Sequence, residues 1–422
     1  MGIRARYLLL CALFGALVGL RYTLDVWVLT RLAPEDSAVL ILVAASFIGM
    51  LLGEVAAPQV SDHYNRSAAI TAAAGAQGCW ALLTIGGIAG NAPSLLYAAG
   101  LAFGIGLGLY HASLDAWLDE AWSQKTDGLP ATDRHLTEGY LLYNLGYLGA
   151  ATLAFPLLYG PPWNASLDLP GLANTSFAPY LLALGLAGGA ILLRPPRLPN
   201  LSIQHPDPRK LLAFPLREYL AVLRYGRTGL LVAVTIGACT NLLFQYIDYL
   251  APAKLLPGST IADRALNIFA FNLTVVLMVS ALGAYLAWRF PTEKLTPKQR
   301  AFLIAAALCL SLSLGAAAIT GPSPAIPLLL GLAQSILLAL PPLVKSWMLD
   351  YAVGGLRATA LSLLGIAKRS LGIGATLGLF LASQHGSSKE LDNLDLFIAL
   401  TGIGGFCVLI LVVYALSRSR PK

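Results

Sequence analysis

Long apolar runs separated by short polar turns dominate this chain. A helix rises about 1.5 Å per residue and the hydrocarbon core of a bilayer is about 30 Å thick, so a spanning helix takes roughly 20 mainly apolar residues. Runs of that kind fall near 6–29, 37–60, 67–89, 94–121, 136–159, 177–194, 228–250, 264–288, 301–320, 325–349, 358–383 and 394–416. They predict an all-α membrane protein of twelve transmembrane helices. The sixth run is short, and the fourth and eleventh are long enough to protrude or tilt. Proline-bearing turn signals at 33–36, 90–93, 160–162 and 321–324 mark cuts between runs. The longest polar segment, 195–227, is rich in proline and basic residues and leaves six runs on either side. The predicted organisation is a six-helix bundle over 1–194, a cytoplasmic linker over 195–227 and a second six-helix bundle over 228–422. Transporters built from two related halves have this form. No strong residue-by-residue repeat is evident, so the duplication rests on helix count.

Composition agrees with that picture. Hydrophobic residues fill 57% of the 422 positions and charged residues only 12%, against about 25% charged in a soluble domain. The mean hydropathy is +0.70. Of the 28 Lys and Arg residues, twenty lie in loops on the side of the N-terminus and four (Arg31, Lys254, Arg264 and Lys389) on the other, while Arg21, Lys345, Lys368 and Arg369 lie inside runs. Basic loops face the cytoplasm, so both termini and the linker are expected on the cytoplasmic side of the cell (inner) membrane. The same scatter removes a nucleic-acid reading of the +7 net charge: the basic residues face anionic lipid and form no single patch. Arg4 and Arg6 before an apolar run imitate a signal peptide, but no small-x-small cleavage site follows, and the segment reads as an uncleaved first helix. Cys11, Cys79, Cys239, Cys309 and Cys407 have no CxxC spacing. They read as small apolar residues packed between helices, not as a metal site or redox pair. No cofactor is expected. The expected partners are lipid, protons and a small-molecule substrate, and the expected state is a monomer.

The segment from Glu54 to Ser67 resembles the signature G-x-x-x-D-R-x-G-R-R of the major facilitator superfamily. More narrowly, it is similar to the E-x-P-T-G-x-x-A-D-x-x-G-R-R version of bacterial drug-efflux-like members. Glu54, Asp62 and Arg66 match; Pro58, His63, Asn65 and Ser67 replace a glycine, an arginine, a second glycine and the last basic residue. The stretch Ser113 to Glu120 resembles the S-G-x-x-E-A-W-x-x-D ending of helix 4 in the same relatives, and Arg357 to Ser362 resembles their R-A-T-x-L-S entry into helix 11. Three matches in order on a chain of six and six helices are more specific than any one. The arginine that proton-driven drug antiporters carry early in helix 4 is absent from 102–108. The resemblance implies the major facilitator fold, two six-helix bundles, and gating by Asp62, Arg66 and Arg357, with Asp62 locking the outward-facing state against the start of helix 11. Physics allows this, since a carboxylate is favoured at a helix N-terminus and Arg66 lies four residues from Asp62 for a charge pair. Two solvated loop charges are the alternative.

Ionised side chains at membrane depth are costly, so each is a functional candidate. Arg21 and Asp25 share a face of the first run. They read as a substrate or proton-coupling pair, or else as a structural salt bridge. His111, Asp115 and Asp119 form an i, i+4, i+8 stripe, and a histidine beside a carboxylate suits a proton relay. Asp119 and Glu120 lie close to the cytoplasmic end, where reaching water is easy. Glu54 is a further acid deep in the second run. Lys368 and Arg369 lie about 15 Å into the eleventh run. With Arg21 they make a cationic site for an anionic group, or they pair with Asp115, Glu54 or Asp25. Asn241, Gln245 and Asp248 in the seventh run, and Tyr140, Asn144 and Tyr147 in the fifth, form polar stripes that suggest cavity walls; interhelical hydrogen bonding is the alternative. Gly100, Gly104 and Gly108, and also Gly374 and Gly378, form small-xxx-small faces for close helix approach. Pro341 and Pro342 are expected to break the ladder of the tenth helix and bend it.

These readings predict a secondary active transporter and no enzyme: neither HExxH nor GxSxG is present, and no ATP-binding loop. Proton coupling is expected through Asp25, Glu54, His111 or Asp115. Substrate contact is expected through Arg21, Asp25, Tyr140, Asn144, Tyr147, Asn241, Gln245 and Lys368. The leading expectation is proton-coupled export of a small amphipathic organic compound. The alternative is an uptake symporter for an anionic metabolite or metal chelate.

Overall fold

The computed structural model describes residues 2–32, 36–61, 65–90, 92–125, 133–159, 177–196, 231–240, 243, 296–320, 326–349, 357–385 and 410. Among them no strand occurs, and the helices are α1 (Ile3–Leu32), α2 (Asp36–Ser61), α3 (Arg66–Ala89), α4 (Pro93–Lys125), α5 (Asp133–Tyr159), α6 (Ala178–Leu192), α7 (Leu231–Thr240), α8 (Pro297–Thr320), α9 (Ile326–Leu349) and α10 (Arg357–His385). They coincide with the first seven and the ninth to eleventh apolar runs. The eighth run, and the twelfth apart from residue 410, lie outside the described residues. Several helices, α1 and α4 among them, extend past their apolar runs because polar residues suit the termini. Asn65 precedes α3 in an extended conformation and its side chain accepts from Ser67 N at 2.8 Å, satisfying one orphan amide of the first turn. Lys125 in the last turn of α4 complements the negative end of the helix dipole.

The surface is that of a chain solvated by lipid. Leu192 is 86% exposed and Phe302 73%, positions that water would penalise and acyl chains accept. Among the described residues, four stretches, Ile3–Arg21, Arg66–Ala89, Pro93–Lys125 and Gln299–Ala318, are long and apolar enough to cross a membrane. Helices satisfy every internal backbone group within the segment, which lipid demands.

The chain divides into two compact units. The first comprises Met1–Ala131 and Leu142–Pro215, the second Thr132–Leu141 and Leu216–Lys422, so the start of α5 belongs to the second. In the first unit α4 lies against both α2 and α3, and α6 against α3 and α1. Close approach of α4 to α2 requires glycine. A Cβ on Gly104 would lie 2.1 Å from Ser46 O, and one on Gly108 2.4 Å from Met50 O. On its other side α4 meets α3 through Trp80, which packs edge-on against Phe103 at 5.5 Å, and through Gln77 Nε2, which donates to Phe103 O at 3.1 Å.

The second unit has its own apolar core, built from Ile236 of α7, Ile304 and Leu308 of α8, Leu337 and Trp347 of α9 and Leu364 of α10. Ser311 Oγ of α8 donates to Ala333 O of α9 at 2.9 Å.

Two expectations are corrected here. Cys79 and Cys309 are exposed, unlike the buried Cys11 and Cys239, because they sit on the outward faces of α3 and α8. Among the described residues Gly374 has nothing within 4 Å of where its Cβ would stand, so it serves no close crossing with a described helix.

Candidate functional site

Tyr7, Phe14 and Arg21 stand seven residues apart on α1, close to two helical turns each, so they share one face. Each reaches α4. Tyr7 OH donates to Asp115 Oδ1 at 2.9 Å. Phe14 stacks on Tyr110 with centroids 4.1 Å apart and planes at 24°. The Arg21 guanidinium lies over the Phe103 ring, its Cζ 4.0 Å from the centroid. Its Nη2 also donates to Ser46 Oγ of α2, and Ser46 Oγ donates to Leu42 O at 2.9 Å. The α4 partners run backward as α1 runs forward, so the two helices are antiparallel and joined by three rungs of different chemistry.

The rungs have a buried layer and a more open one. Phe14, Phe103, Tyr7, Tyr110 and Asp115 are all buried. Arg21, His111 and Tyr143 are half-buried. Tyr143 lies nearly parallel to Tyr110 at 6.1 Å, and His111 is 6.1 Å from Tyr143. Tyr143 is brought there by glycine: a Cβ on Gly15 would fall 1.9 Å from Tyr143 O, and one on Gly19 would fall 2.2 Å from Tyr147 O. No side chain fits between α1 and α5 at those points. Asn144, next on α5, is buried, and its Nδ2 has no hydrogen-bond partner among the described residues.

Other predicted residues lie apart from the rungs. Glu54 is 2% exposed on α2, where its backbone abuts Gly108 of α4. Tyr147 of the first unit and Tyr140 and Lys368 of the second are half-buried. The side chains of Asp25 and Arg357, and the whole of Asp62, Asn241, Gln245 and Asp248, lie outside the described residues. No group of three or more His, Cys, Asp or Glu able to hold a metal ion occurs among the described residues.

While Asp62 lies outside the described residues, Arg66 meets a partner that the sequence did not single out. Its Nε pairs with Glu120 Oε2 at 2.5 Å, and its Nη1 lies 3.4 Å from Ser61 Oγ. A cation at the first position of a helix opposes the helix dipole, and this one is 1% exposed. Glu120 offsets both costs. The expectation that Asp119 reaches water is corrected, since it is 1% exposed, whereas the Glu120 side chain is half-buried.

Solved structures share the fold over nearly the whole chain. The transporter FucP in its outward conformation is 16% identical over 98% of this chain and 99% of its own, with a TM-score of 0.66. The proton:xylose symporter XylE is 16% identical over 97% of this chain and 94% of its own, at 0.69. The nucleoside transporter NupG is 12% identical over 99% and 100%, at 0.56. FucP is described as a major facilitator superfamily transporter, and XylE as a member of the same superfamily. This chain has the major facilitator fold. No protein-family model matches the sequence, and no curated protein matches it.

Within this major facilitator fold, several residues of the seam escape a reading of the sequence. Tyr7 and Phe14 look like ordinary members of an apolar run, and Tyr110 and Phe103 likewise. The heptad spacing of Tyr7, Phe14 and Arg21 was the available signal, since a charge at membrane depth marks which face of its helix carries chemistry. Ser46 and Glu120 offered none, because their partners lie 25 and 54 residues away.

Proposed function

We propose that this chain is a proton-coupled secondary active transporter of a small amphipathic organic solute. It works by alternating access between bundles over 1–194 and 228–422, joined by the 195–227 linker. The observation that carries the reading is the Tyr7–Asp115 rung: a buried carboxylate in a membrane-spanning helix, hydrogen-bonded to a phenol on a second helix. A carboxylate at that depth is expensive unless it does something. Tyr7 offers it a hydrogen-bond donor, whereas a hard metal cation requires a cage of oxygen acceptors. Asp115 is therefore the proton carrier, with His111 one turn away and Glu54 and Asp25 as further acids. Tyr143, Asn144 and Tyr147 line the solute path, and Arg66, Asp62 and Arg357 form the gate. The fold supports transport over catalysis, since its neighbours are described as transporters and symporters.

Export is carried by the loop motifs around Asp62. Uptake by symport is the second reading, favoured by the likeness to structures described as an E. coli fucose:proton symporter and a proton:xylose symporter. Proteoliposomes with an internal pH dye and a panel of amphipathic compounds test both. A transported compound added outside should move protons in a protein-dependent way: acidification of the lumen reads as symport, alkalinisation as antiport. Asp115→Asn should abolish the signal. A combined Asp25→Asn, Glu54→Gln and Asp115→Asn variant that retains full pH-driven movement would refute proton coupling.

A further inference from the structure

We propose that the first unit carries a built-in shear line: α1 and α5 move as one block against a second block of α2, α3 and α4. The line follows Tyr7, Phe14 and Arg21. The proposal rests on the transport reading for its purpose, because the line separates the solute-path residues of α5 from the proton carrier on α4.

The first ground is how the second block is closed. A Cβ on Gly49 of α2 would meet Leu101 O of α4, and one on Gly53 would meet Ile105 O. From the other side, a Cβ on Gly104 would meet Ser46 O and one on Gly108 would meet Met50 O. Each helix therefore offers glycines to the carbonyls of the other, from residue 46 to 53 on α2 and from 101 to 108 on α4. That is about two turns of each helix. The third member joins through Gly106, whose Cβ would lie 2.8 Å from Ala73 O and 3.2 Å from Ala76 Cβ of α3.

The second ground is that α1 and α5 are closed in the same reciprocal way. A Cβ on Gly15 would meet Tyr143 O, one on Gly19 would meet Tyr147 O, and one on Gly146 of α5 would meet Ala12 O of α1. Backbones this close have no intervening side chain that could change rotamer. Sliding them apart forfeits dispersion contact with nothing to replace it in lipid.

The third ground is the different character of the boundary. The two blocks meet through side chains. Tyr7 reaches Asp115, Phe14 stacks on Tyr110, and Arg21 lies over Phe103 and donates to Ser46. Tyr143 of α5 faces Tyr110 and His111 of α4 ring to ring, at 6.1 Å in each case. Furthermore, α1 and α4 come close at far fewer points than α2 and α4 do. Stacked rings slide, and long side chains have alternative staggered rotamers. Packed helices shift by about 1–2 Å through contacts of that kind. Tyr143, Asn144 and Tyr147 travel with α1, whereas His111 and Asp115 travel with α4. A shear thus alters the Tyr143–His111 and Tyr7–Asp115 separations together.

The test is pulsed dipolar spectroscopy on the purified full-length protein, with no gradient and no solute. Spin labels go on cysteines at the exposed positions Leu9 of α1, Leu153 of α5, Ile48 of α2 and Leu82 of α3. Cys79, Cys239, Cys309 and Cys407 are replaced by alanine, and the buried Cys11 is kept. Leu9–Leu153 and Ile48–Leu82 report within blocks; Leu153–Ile48 and Leu9–Leu82 report across the line. With the seam intact, the across-line distributions should be broader than those within blocks. Tyr7→Phe combined with Phe14→Leu should shift or broaden the across-line distributions by about 2 Å or more and leave the within-block ones unchanged. Equal widths for the two classes in the seam-intact chain would overturn the proposal. So would across-line distances that ignore the double substitution, or within-block distances that respond as much. The comparison of widths needs no seam variant, so a misfolded variant does not block it. Loss of proton-driven flux with the two-block behaviour intact counts against the transport reading alone. Uniform distributions with flux intact count against the shear line alone.

Discussion

Toward α2, α4 presents Gly100, Gly104 and Gly108, and the two backbones close until only hydrogen fits between them. Toward α1, the same helix presents Phe103, Tyr110 and Asp115, and long side chains make the contact. The first interface is backbone against backbone along the glycine stripe, with Glu54 meeting it through its main chain at Gly108. The second contains a carboxylate, a guanidinium, a phenol and stacked rings. Backbone-to-backbone packing has one geometry, and any shift forfeits the van der Waals contact that holds helices together in lipid. Side-chain rungs re-form in other rotamers and exchange partners with protons or solute. The difference assigns α2 and α4 to one rigid piece, and it makes the α1–α4 seam the place where chemistry can alter spacing.

The comparison breaks most severely at the rigid face. Gly104→Val places a branched side chain where even a Cβ lies 2.1 Å from Ser46 O. Size-exclusion chromatography should show no monodisperse folded protein, and a well-folded variant would show that the close approach is dispensable. Next comes Glu120→Gln, which leaves the buried Arg66 charge without its carboxylate. It should lower stability by about 3 kcal/mol, measured as the unfolding midpoint in detergent. At the adjustable face the effects are smaller in stability and larger in function. Tyr7→Phe deletes the donor to Asp115 and should cost about 2 kcal/mol, while proton flux in liposomes falls several-fold. Unchanged flux would remove Tyr7 from the seam's working parts. Phe14→Leu removes only the ring stack on Tyr110 and should cost about 1 kcal/mol, with flux largely kept.

The helices were legible in the sequence because bilayer thickness imposes a length that little else produces. The run at 37–60 and the helix Asp36–Ser61 differ by one residue at each end. The rigid face was legible too, since glycines four residues apart on one helix predict close approach. The adjustable face was only half visible. Arg21, His111 and Asp115 stand out as polar groups in apolar runs, but their neighbours do not. Tyr7 is an ordinary aromatic until α4 is placed beside it, and periodicity tells which residues share a face without telling what faces them. Arg66 shows the same limit: its pairing with Glu120, 54 residues away on another helix, has no signal in the local sequence.

The length of α4 has a further consequence. Its 33 residues make a rod of about 50 Å, some 20 Å more than the hydrocarbon thickness. Tilting such a rod by 10° about its middle would carry each tip sideways by about 4 Å. Glu120, in the final quarter of that rod, travels with the tip and is bound to the first residue of α3. A small reorientation of α4 would thus be magnified into a displacement comparable to the width of a water-filled opening, at the end of the molecule where α3 begins.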